Sequence, residues 1–246
     1  MKCVTGHQTH TSLLTPRASQ RTQFALVHVL AAVTSTMTVI SEFSAVRAAH
    51  IILASASPRR VEILNSILGL EARVVPSTFP EDLDKSQFTP ITYVQENAWQ
   101  KALEVRNRFI AAGEAPPSVV VGADTVVDQG GAILEKPKSE AQATEMLGRL
   151  SGSTHAVHTG VALLYRDGSE ACFCESSEVN FCDLSPEDIA AYVASGEPMD
   201  KAGAYGIQGL GGAFVSGIRG CYYNVMGFPM HRFCATLDVA RLGAES

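Results

Sequence analysis

The sequence predicts an α/β fold in which one mixed β-sheet is flanked by helices, with two lobes. In the first half of the chain, short apolar strand candidates alternate with helix candidates, a pattern typical of α/β proteins. In the second half, two long strand candidates, residues 155–165 and 171–182, are joined at Asp167-Gly168, a strong hairpin signal. We see no internal repeat and no linker in residues 50–246, so we expect a single domain there.

The first-half elements each have a local cause. Ser57-Pro58 is a favoured N-cap and first-turn pair, and Gly69 ends the helix that it begins. Thr89-Pro90 starts a second helix in the same way. The elements expected here are strand 50–54, helix 58–68, strand 72–75, a polar loop at 77–88, helix 90–112 and a fully apolar strand 118–122.

The second-half elements follow the same signals. Gly130-Gly131 marks a hairpin turn, and Ser139 with Gln142 forms a capping box. Ser185-Pro186 opens another helix, which Gly196 closes. We also expect a helix to about residue 150, a glycine-rich stretch at 203–212, a last hairpin made of strands 213–218 and 221–225, and a final helix at about 229–242.

Composition and charge limit the classes of partner. The chain has 246 residues, a net charge of −6 and 46% hydrophobic residues, which fits a globular protein. An acidic protein lacks the basic footprint of a nucleic-acid binder, although a few placed cations can still hold a small anion. Six cysteines are too few for a disulfide scaffold, and the Cys172/Cys174 pair has no second pair at zinc-site spacing.

Residues 1–49 differ from the rest of the chain. No acidic residue occurs before Glu42, and Ser, Thr and basic residues are frequent, as in an organelle transit peptide. The apolar stretch at residues 24–33 is too short for a membrane span, which needs about 20 residues. A signal-peptide core or a misplaced start, with Met37 the true beginning, are the alternatives. We predict a disordered or targeting extension at 1–49, and otherwise a cytoplasmic protein without a membrane partner.

Two clusters of polar residues follow predicted strands. Ser57, Arg59 and Arg60 lie at a strand-to-helix turn, where free N–H groups and guanidinium groups suit a phosphate; an ordinary N-cap with exposed arginines is the alternative. Asp124 comes directly after strand 118–122, the place where α/β sheets usually bind ligands. It could bind a divalent metal or act as a general base, or it could merely cap a turn.

Two further clusters are weaker on their own. Lys136 and Lys138 flank Pro137, which stiffens the segment, but a solvated charge run is the usual meaning of such a stretch. The glycine-rich segment that follows Lys201 contains Gln208, whose amide has the donors and acceptor needed to read a nucleobase edge. By spacing alone, neither Glu81 nor Lys101 stands out.

These motifs occur together in one known family. The chain resembles the Maf family of nucleoside triphosphate pyrophosphatases over about residues 50–240, and it also resembles the Maf-like domain of animal methyltransferase-like fusion proteins. The matching segments are Leu53-Ala54-Ser55-Ala56-Ser57-Pro58-Arg59-Arg60, Gly122-Ala123-Asp124-Thr125-Val126-Val127, Leu134-Glu135-Lys136-Pro137, Leu150-Ser151-Gly152 and residues 192–209.

The resemblance implies a Maf/ITPase-like fold with a central cleft between the lobes, and hydrolysis of a nucleoside triphosphate to its monophosphate and pyrophosphate. It implies that Asp124 accepts a proton and, with Glu81, binds a divalent cation, Mg²⁺ or Mn²⁺. The Tyr205–Gly209 stretch resembles the branch that acts on dTTP and UTP rather than on 7-methyl-GTP, and a homodimer is suggested. The substrate-binding and specificity residues implied are Ser57, Arg59, Arg60, Lys101, Thr125, Lys136, Lys201 and Gln208.

Two other functions remain open at this point. Bacterial relatives are associated with inhibition of septum formation, so a nucleotide-binding regulator of cell division is the alternative from another class. Within the enzymes, the substrate could be a different nucleotide.

Overall fold

This computed structural model describes residues 38–243, which contain a seven-stranded mixed sheet. The strands are β1 (Ile51–Leu53), β2 (Arg73–Val74), β3 (Val119–Gln129), β4 (Ala132–Leu134), β5 (Thr154–Tyr165), β6 (Glu170–Phe181) and β7 (Val215–Arg219). Their order is β2-β1-β3-β5-β6-β7, and β4 pairs with β3. β1 is parallel to β2 and β3, and all other pairs are antiparallel, so the predicted mixed sheet is confirmed.

Helices flank this sheet, as predicted. The α-helices are α1 (Thr38–Ser41), α2 (Phe43–Ala48), α3 (Pro58–Val61), α4 (Pro90–Ala111), α5 (Glu140–Leu150), α6 (Pro186–Ala194), α7 (Tyr222–Met226), α8 (Met230–Thr236) and α9 (Val239–Leu242). A π-helix, Glu62–Ile67, continues α3. The 3₁₀ helices are Lys85–Gln87, Glu197–Asp200, Ala202–Ala204 and Leu210–Phe214.

Three sequence-based expectations for these elements were wrong. Residues 221–225 do not form a strand, because the buried Asn224 side chain donates to Val157 O and Ser177 Oγ and holds this segment as helix α7. The predicted helix 229–242 is broken into α8 and α9, since Leu237 turns into an extended conformation and Asp238 N donates to Tyr165 Oη. Strand 118–122 is in fact the first half of an 11-residue strand.

The edge of β3 is open in its middle. β1 pairs with Val119–Val121 and β4 pairs with Val127–Gln129, while β5 covers the other edge. Residues 122–126 therefore have a strand partner on one side only. Because neighbouring residues of a strand point to opposite faces, Asp124 and Thr125 reach this opening from opposite faces of the sheet.

Two separate hydrophobic cores pack on the Thr125 face of the sheet. Val121 and Ala123 belong to one core, with helices α7–α9, and Val127 belongs to the other, with α5 and α6. Thr125 lies between them in the strand, so the two predicted lobes correspond to these two cores. On the opposite face, α4 packs against the first half of β3.

Two glycines let α4 approach the sheet closely. A Cβ at Gly122 would clash with the Ala98 carbonyl oxygen, and a Cβ at Gly160 would clash with the Val94 backbone. The backbones therefore touch where a side chain would otherwise separate them. This close approach brings the side chains of α4 within reach of Asp124.

The N-terminal boundary at residue 50 differs from what the sequence suggested. Val46 of α2 is fully buried in the core that contains Ile51 and Leu53, so α2 packs as part of the domain. Residues 1–37 lie outside the described residues, and the extension expected there stays a prediction. Within residues 38–243, no helix has the length and apolar character needed to span a membrane.

Candidate active site

A cavity of about 730 Å³ lies at the opening in the β3 edge. Six cationic and four acidic side chains line it, so its formal balance is positive although the whole chain carries −6. Every site residue predicted from the sequence lines this one cavity; what each does there stays a prediction. These residues are Ser57, Arg59, Arg60, Glu81, Lys101, Asp124, Thr125, Lys136, Lys201 and Gln208.

Asp124 is buried and held by two residues of α4. Lys101 Nζ lies 2.8 Å from Asp124 Oδ1, and Asn97 Nδ2 donates to Asp124 Oδ2 at 3.1 Å. Lys101 Nζ also lies 2.7 Å from Glu81 Oε2, so one ammonium group bridges two carboxylates. The sequence suggested that Asp124 lies at the end of a strand. It lies instead in the middle of β3, beyond the last β3 residue that pairs with β1.

Arg60 fills part of the opening in the sheet edge. Its guanidinium donates to the Gly227 and Ala123 carbonyl oxygens and to the hydroxyls of Ser55 and Thr125. Burial lowers the pKa of Arg60, and the charge of Asp124 acts in the opposite direction. Protein acceptors thus engage most of its donors, which leaves little capacity for a phosphate.

The Thr125 hydroxyl is part of the same network. It lies 3.0 Å from Thr159 Oγ1 and accepts from Arg60 Nη2 at 3.0 Å. It is therefore fixed in position at the cavity wall, between the two cores.

Arg59, which is next to Arg60 in α3, faces Asp200. Its Nη1 is 3.1 Å from Asp200 Oδ2, and Lys201 Nζ is 2.6 Å from Asp200 Oδ1. Burial raises the pKa of Asp200, but the hydrogen bonds from Lys201 and Arg59 have a larger and opposite effect. The pKa of Asp200 is therefore below its usual value. Two cations of the cavity thus share one carboxylate, which a bound polyanion could displace.

The glycine-rich segment is hydrogen-bonded to one carboxylate, that of Glu197. Leu210 N and Gly211 N donate to it at 2.9 and 3.2 Å, and Tyr192 Oη donates to it at 2.9 Å. This arrangement presents Gln208 at the surface, where its Nε2 donates to Glu62 Oε2 at 3.2 Å.

Glu135 lies at the far end of the cavity. Tyr93 Oη donates to it at 2.7 Å, and Lys85 Nζ forms an ion pair with it at 2.7 Å. Burial raises its pKa, but these two partners outweigh that effect and leave the pKa lowered. The adjacent Lys136 is exposed at the rim.

The carboxylates of Glu81 and Asp124 fit a divalent cation. Both already lie within 2.8 Å of one cationic nitrogen, that of Lys101, so two oxygen ligands converge where positive charge is stabilised. Hard divalent cations prefer such oxygen ligands. No cluster of three or more His, Cys, Asp or Glu side chains suited to a metal occurs among residues 38–243. Further ligands would come from the bound substrate or from water.

Sequence reasoning missed Asn97 and left Glu197 without a role. Tyr93, Asn97 and Lys101 follow each other at four-residue intervals, which places them on one face of α4. That spacing was the signal that could have found Asn97. Glu197 had no comparable signal, because two of its three donors are backbone N–H groups of the glycine-rich segment.

Comparisons with known proteins identify the family of this chain. Residues 50–240 match the family described as Maf-like protein. A dTTP/UTP pyrophosphatase of Clostridium perfringens is 50% identical over 189 residues, 76% of this chain and 95% of that protein. A dTTP/UTP pyrophosphatase of Thermococcus kodakarensis is 48% identical over 180 residues, 73% of this chain and 91% of that protein.

A longer relative also matches. A human protein named as a probable bifunctional dTTP/UTP pyrophosphatase/methyltransferase is 51% identical over 196 residues, 76% of this chain. The chain spans only 31% of that relative's length. A solved HAM1 protein structure from Coxiella burnetii matches with a TM-score of 0.43 and 16% identity, over 76% of this chain and 96% of that one, which is too remote to support an argument. On the match over residues 50–240, the chain belongs to the Maf-like protein family.

Proposed function

We propose that this protein hydrolyses dTTP and UTP to the nucleoside monophosphate and pyrophosphate. One observation carries the proposal: a buried carboxylate, Asp124, lies 2.8 Å from Lys101 Nζ in a cavity whose other walls carry Arg59, Lys136 and Lys201. The names of relatives that are about half identical to this chain support the choice of nucleotides.

The charges of the cavity suit a triphosphate. A nucleoside triphosphate carries several negative charges, and a cavity with excess cations inside an acidic protein attracts it selectively. Arg59 and Lys201 now share Asp200 and would turn to phosphate oxygens when the substrate binds. Lys136, at the rim, would contact the same chain of phosphates.

Asp124 would act on the attacking water. Its carboxylate accepts a proton from the water as the water oxygen attacks the α-phosphorus, and the bond between that phosphorus and the bridging oxygen breaks. Lys101 keeps the carboxylate in place and stabilises its negative charge. Glu81 and Asp124 would hold a divalent cation, Mg²⁺ or Mn²⁺, which when bound offsets charge on the phosphates.

The nucleobase would be read from the other side of the cavity. Gln208 has both donors and an acceptor, and Thr125 is a fixed hydroxyl between the two cores. To accept a base, Gln208 would exchange its hydrogen bond to Glu62 for one to the pyrimidine edge. We propose further that the protein acts as a homodimer in the cytoplasm, which sedimentation of the purified protein and imaging of the tagged protein would test.

A substrate panel tests the proposed function. We expect purified protein with Mg²⁺ or Mn²⁺ to release pyrophosphate from dTTP and UTP faster than from CTP, GTP or 7-methyl-GTP. A preference for another nucleotide would overturn the choice of substrate. Tight nucleotide binding with negligible pyrophosphate release would instead favour a regulator of cell division.

A further inference from the structure

Asn97 occupies a position that packing alone does not explain. Its side chain is 1% exposed, on the face of α4 that also carries Tyr93 and Lys101, and it does not line the cavity. A buried amide must find hydrogen-bond partners or lose free energy. The structure gives Asn97 Nδ2 a strong acceptor, the Asp124 carboxylate.

The orientation of this amide follows from that acceptor. Asn97 Oδ1 has no hydrogen-bond partner among the described residues. If the amide were turned over, Oδ1 would face Asp124 Oδ2 and two acceptors would repel each other. The amide therefore leaves one buried acceptor unsatisfied while it keeps its donor on Asp124.

Asn97 and Lys101 together contact both oxygens of one carboxylate. They are one helical turn apart on α4, with Nδ2 on Oδ2 at 3.1 Å and Nζ on Oδ1 at 2.8 Å. Two donors on a rigid helix fix both the position and the rotation of the Asp124 carboxyl plane. Lys101 alone could not do this, because the same ammonium also pairs with Glu81.

We infer that Asn97 is a positioning residue for the reaction, which holds the Asp124 carboxylate in the orientation that accepts the proton of the attacking water. This inference rests on the proposed function. Since Asn97 does not line the cavity, it acts through Asp124 and has no part in substrate binding. We therefore expect its main effect on kcat and only a small effect on KM.

Replacement by alanine gives the first test. We expect Asn97→Ala to lower kcat for pyrophosphate release from dTTP by about 10–100-fold, the range expected for a lost hydrogen bond to a charged group. The KM for dTTP should change less than threefold. Asn107→Ala is the matched control, because Asn107 is exposed on the same helix. A kcat within threefold of wild type in folded Asn97→Ala, or a raised KM with unchanged kcat, would overturn the inference.

Replacement by aspartate gives the second test, which a merely structural role would not pass. Asn97→Asp keeps the size and shape of the side chain but removes the amide donor that faces Asp124 Oδ2. We expect kcat for dTTP to fall at least as far as in Asn97→Ala, while KM stays within threefold of wild type. Asn107→Asp, at an exposed position of the same helix, should leave both constants unchanged. A kcat within threefold of wild type in folded Asn97→Asp would contradict the inference.

An unfolding cycle separates this inference from the proposed function. Denaturant unfolding of Asn97→Ala, Asp124→Ala and the double variant should give a coupling energy, whereas the cycle with Asn107→Ala should give none. If wild type releases pyrophosphate from neither dTTP nor UTP, the proposed function fails, and this cycle alone decides whether Asn97 holds Asp124. An absence of coupling would refute the contact itself.

Discussion

On the α4 side of the cavity, Asp124 and Lys101 lie on a strand and a helix and are buried, whereas on the glycine-rich side Glu197 and Asp200 lie on a short 3₁₀ helix and are more exposed. Asp124 and Lys101 have side chains 10% and 8% exposed. Gln208, by contrast, is exposed, and the carboxylate of Glu197 holds its loop through two backbone N–H groups. If the proposed roles are right, the groups that act on the water lie on a helix and a strand, while the group that selects the base lies on a loop held by hydrogen bonds.

The strongest test of this contrast is removal of the charge of Asp124. Asp124→Asn keeps the side-chain shape but cannot accept a proton, so we expect pyrophosphate release from dTTP to fall about 10³-fold. Asp128→Asn is the control, because Asp128 lies on the same strand and outside the cavity lining. Full activity of a folded Asp124→Asn protein would refute the role assigned to this residue.

A smaller effect on stability is expected from Lys101. Lys101→Met removes the cation from the buried Asp124 carboxylate, and breaking such a pair typically costs about 3 kcal/mol of the free energy of unfolding. Denaturant unfolding measures the loss. Lys138→Met, at an exposed position, should change the free energy of unfolding by less than about 0.5 kcal/mol. Equal free energies of unfolding of the two variants would show that the Lys101–Asp124 ion pair does not stabilise this side of the cavity.

The glycine-rich side is also anchored by a buried histidine. His155 Nε2 lies 2.8 Å from Tyr205 Oη, and burial lowers the pKa of His155 to about 4. The unfolded chain takes up this proton near pH 6.5, so the stability that neutral His155 contributes is complete above that pH and is lost as pH falls towards 4. We expect a slope of about 1.4 kcal/mol per pH unit in that window, which His155→Gln abolishes.

Denaturant unfolding between pH 4 and 7 would measure this slope. His231→Gln, at an exposed position, serves as the control and should keep the wild-type slope. If His155→Gln also kept the wild-type slope of the free energy of unfolding against pH, a group other than His155 would cause that slope.

The smallest effect is expected at the exposed loop. Gln208→Ala should reduce the ratio of kcat/KM for dTTP over CTP by about fivefold, the effect of one neutral hydrogen bond, with little change in stability. Gln87→Ala, on a 3₁₀ helix outside the cavity lining, is the control. An unchanged ratio would place base selection elsewhere, with Thr125 the next residue to test.

Much of the fold was predictable where local signals were strong. Ser57-Pro58 does begin α3, and Asp167-Gly168 does join two long antiparallel strands. The family motifs also predicted which residues would share a cavity, although they lie far apart in the chain.

The rest depends on tertiary contacts that no local pattern encodes. Residues 221–225 resemble a strand, but two hydrogen bonds of the buried Asn224 side chain stabilise a helix there. Asp124 followed an apolar run and was expected at its end, whereas pairing with β5 continues the strand past it. The four-residue spacing places Asn97 on the same face of α4 as Lys101, but its partner, Asp124, lies on a strand that only the folded chain brings near.

The open stretch of β3 also bears on how the protein avoids aggregation through added strands. An unpaired strand edge is a template on which another chain can add a strand. Here Arg60 covers that edge by donating to the Ala123 carbonyl oxygen, and its buried charge opposes the approach of a second backbone. A variant that loses this guanidinium would therefore tend to form insoluble aggregates during expression, before any change in its catalysis could be seen.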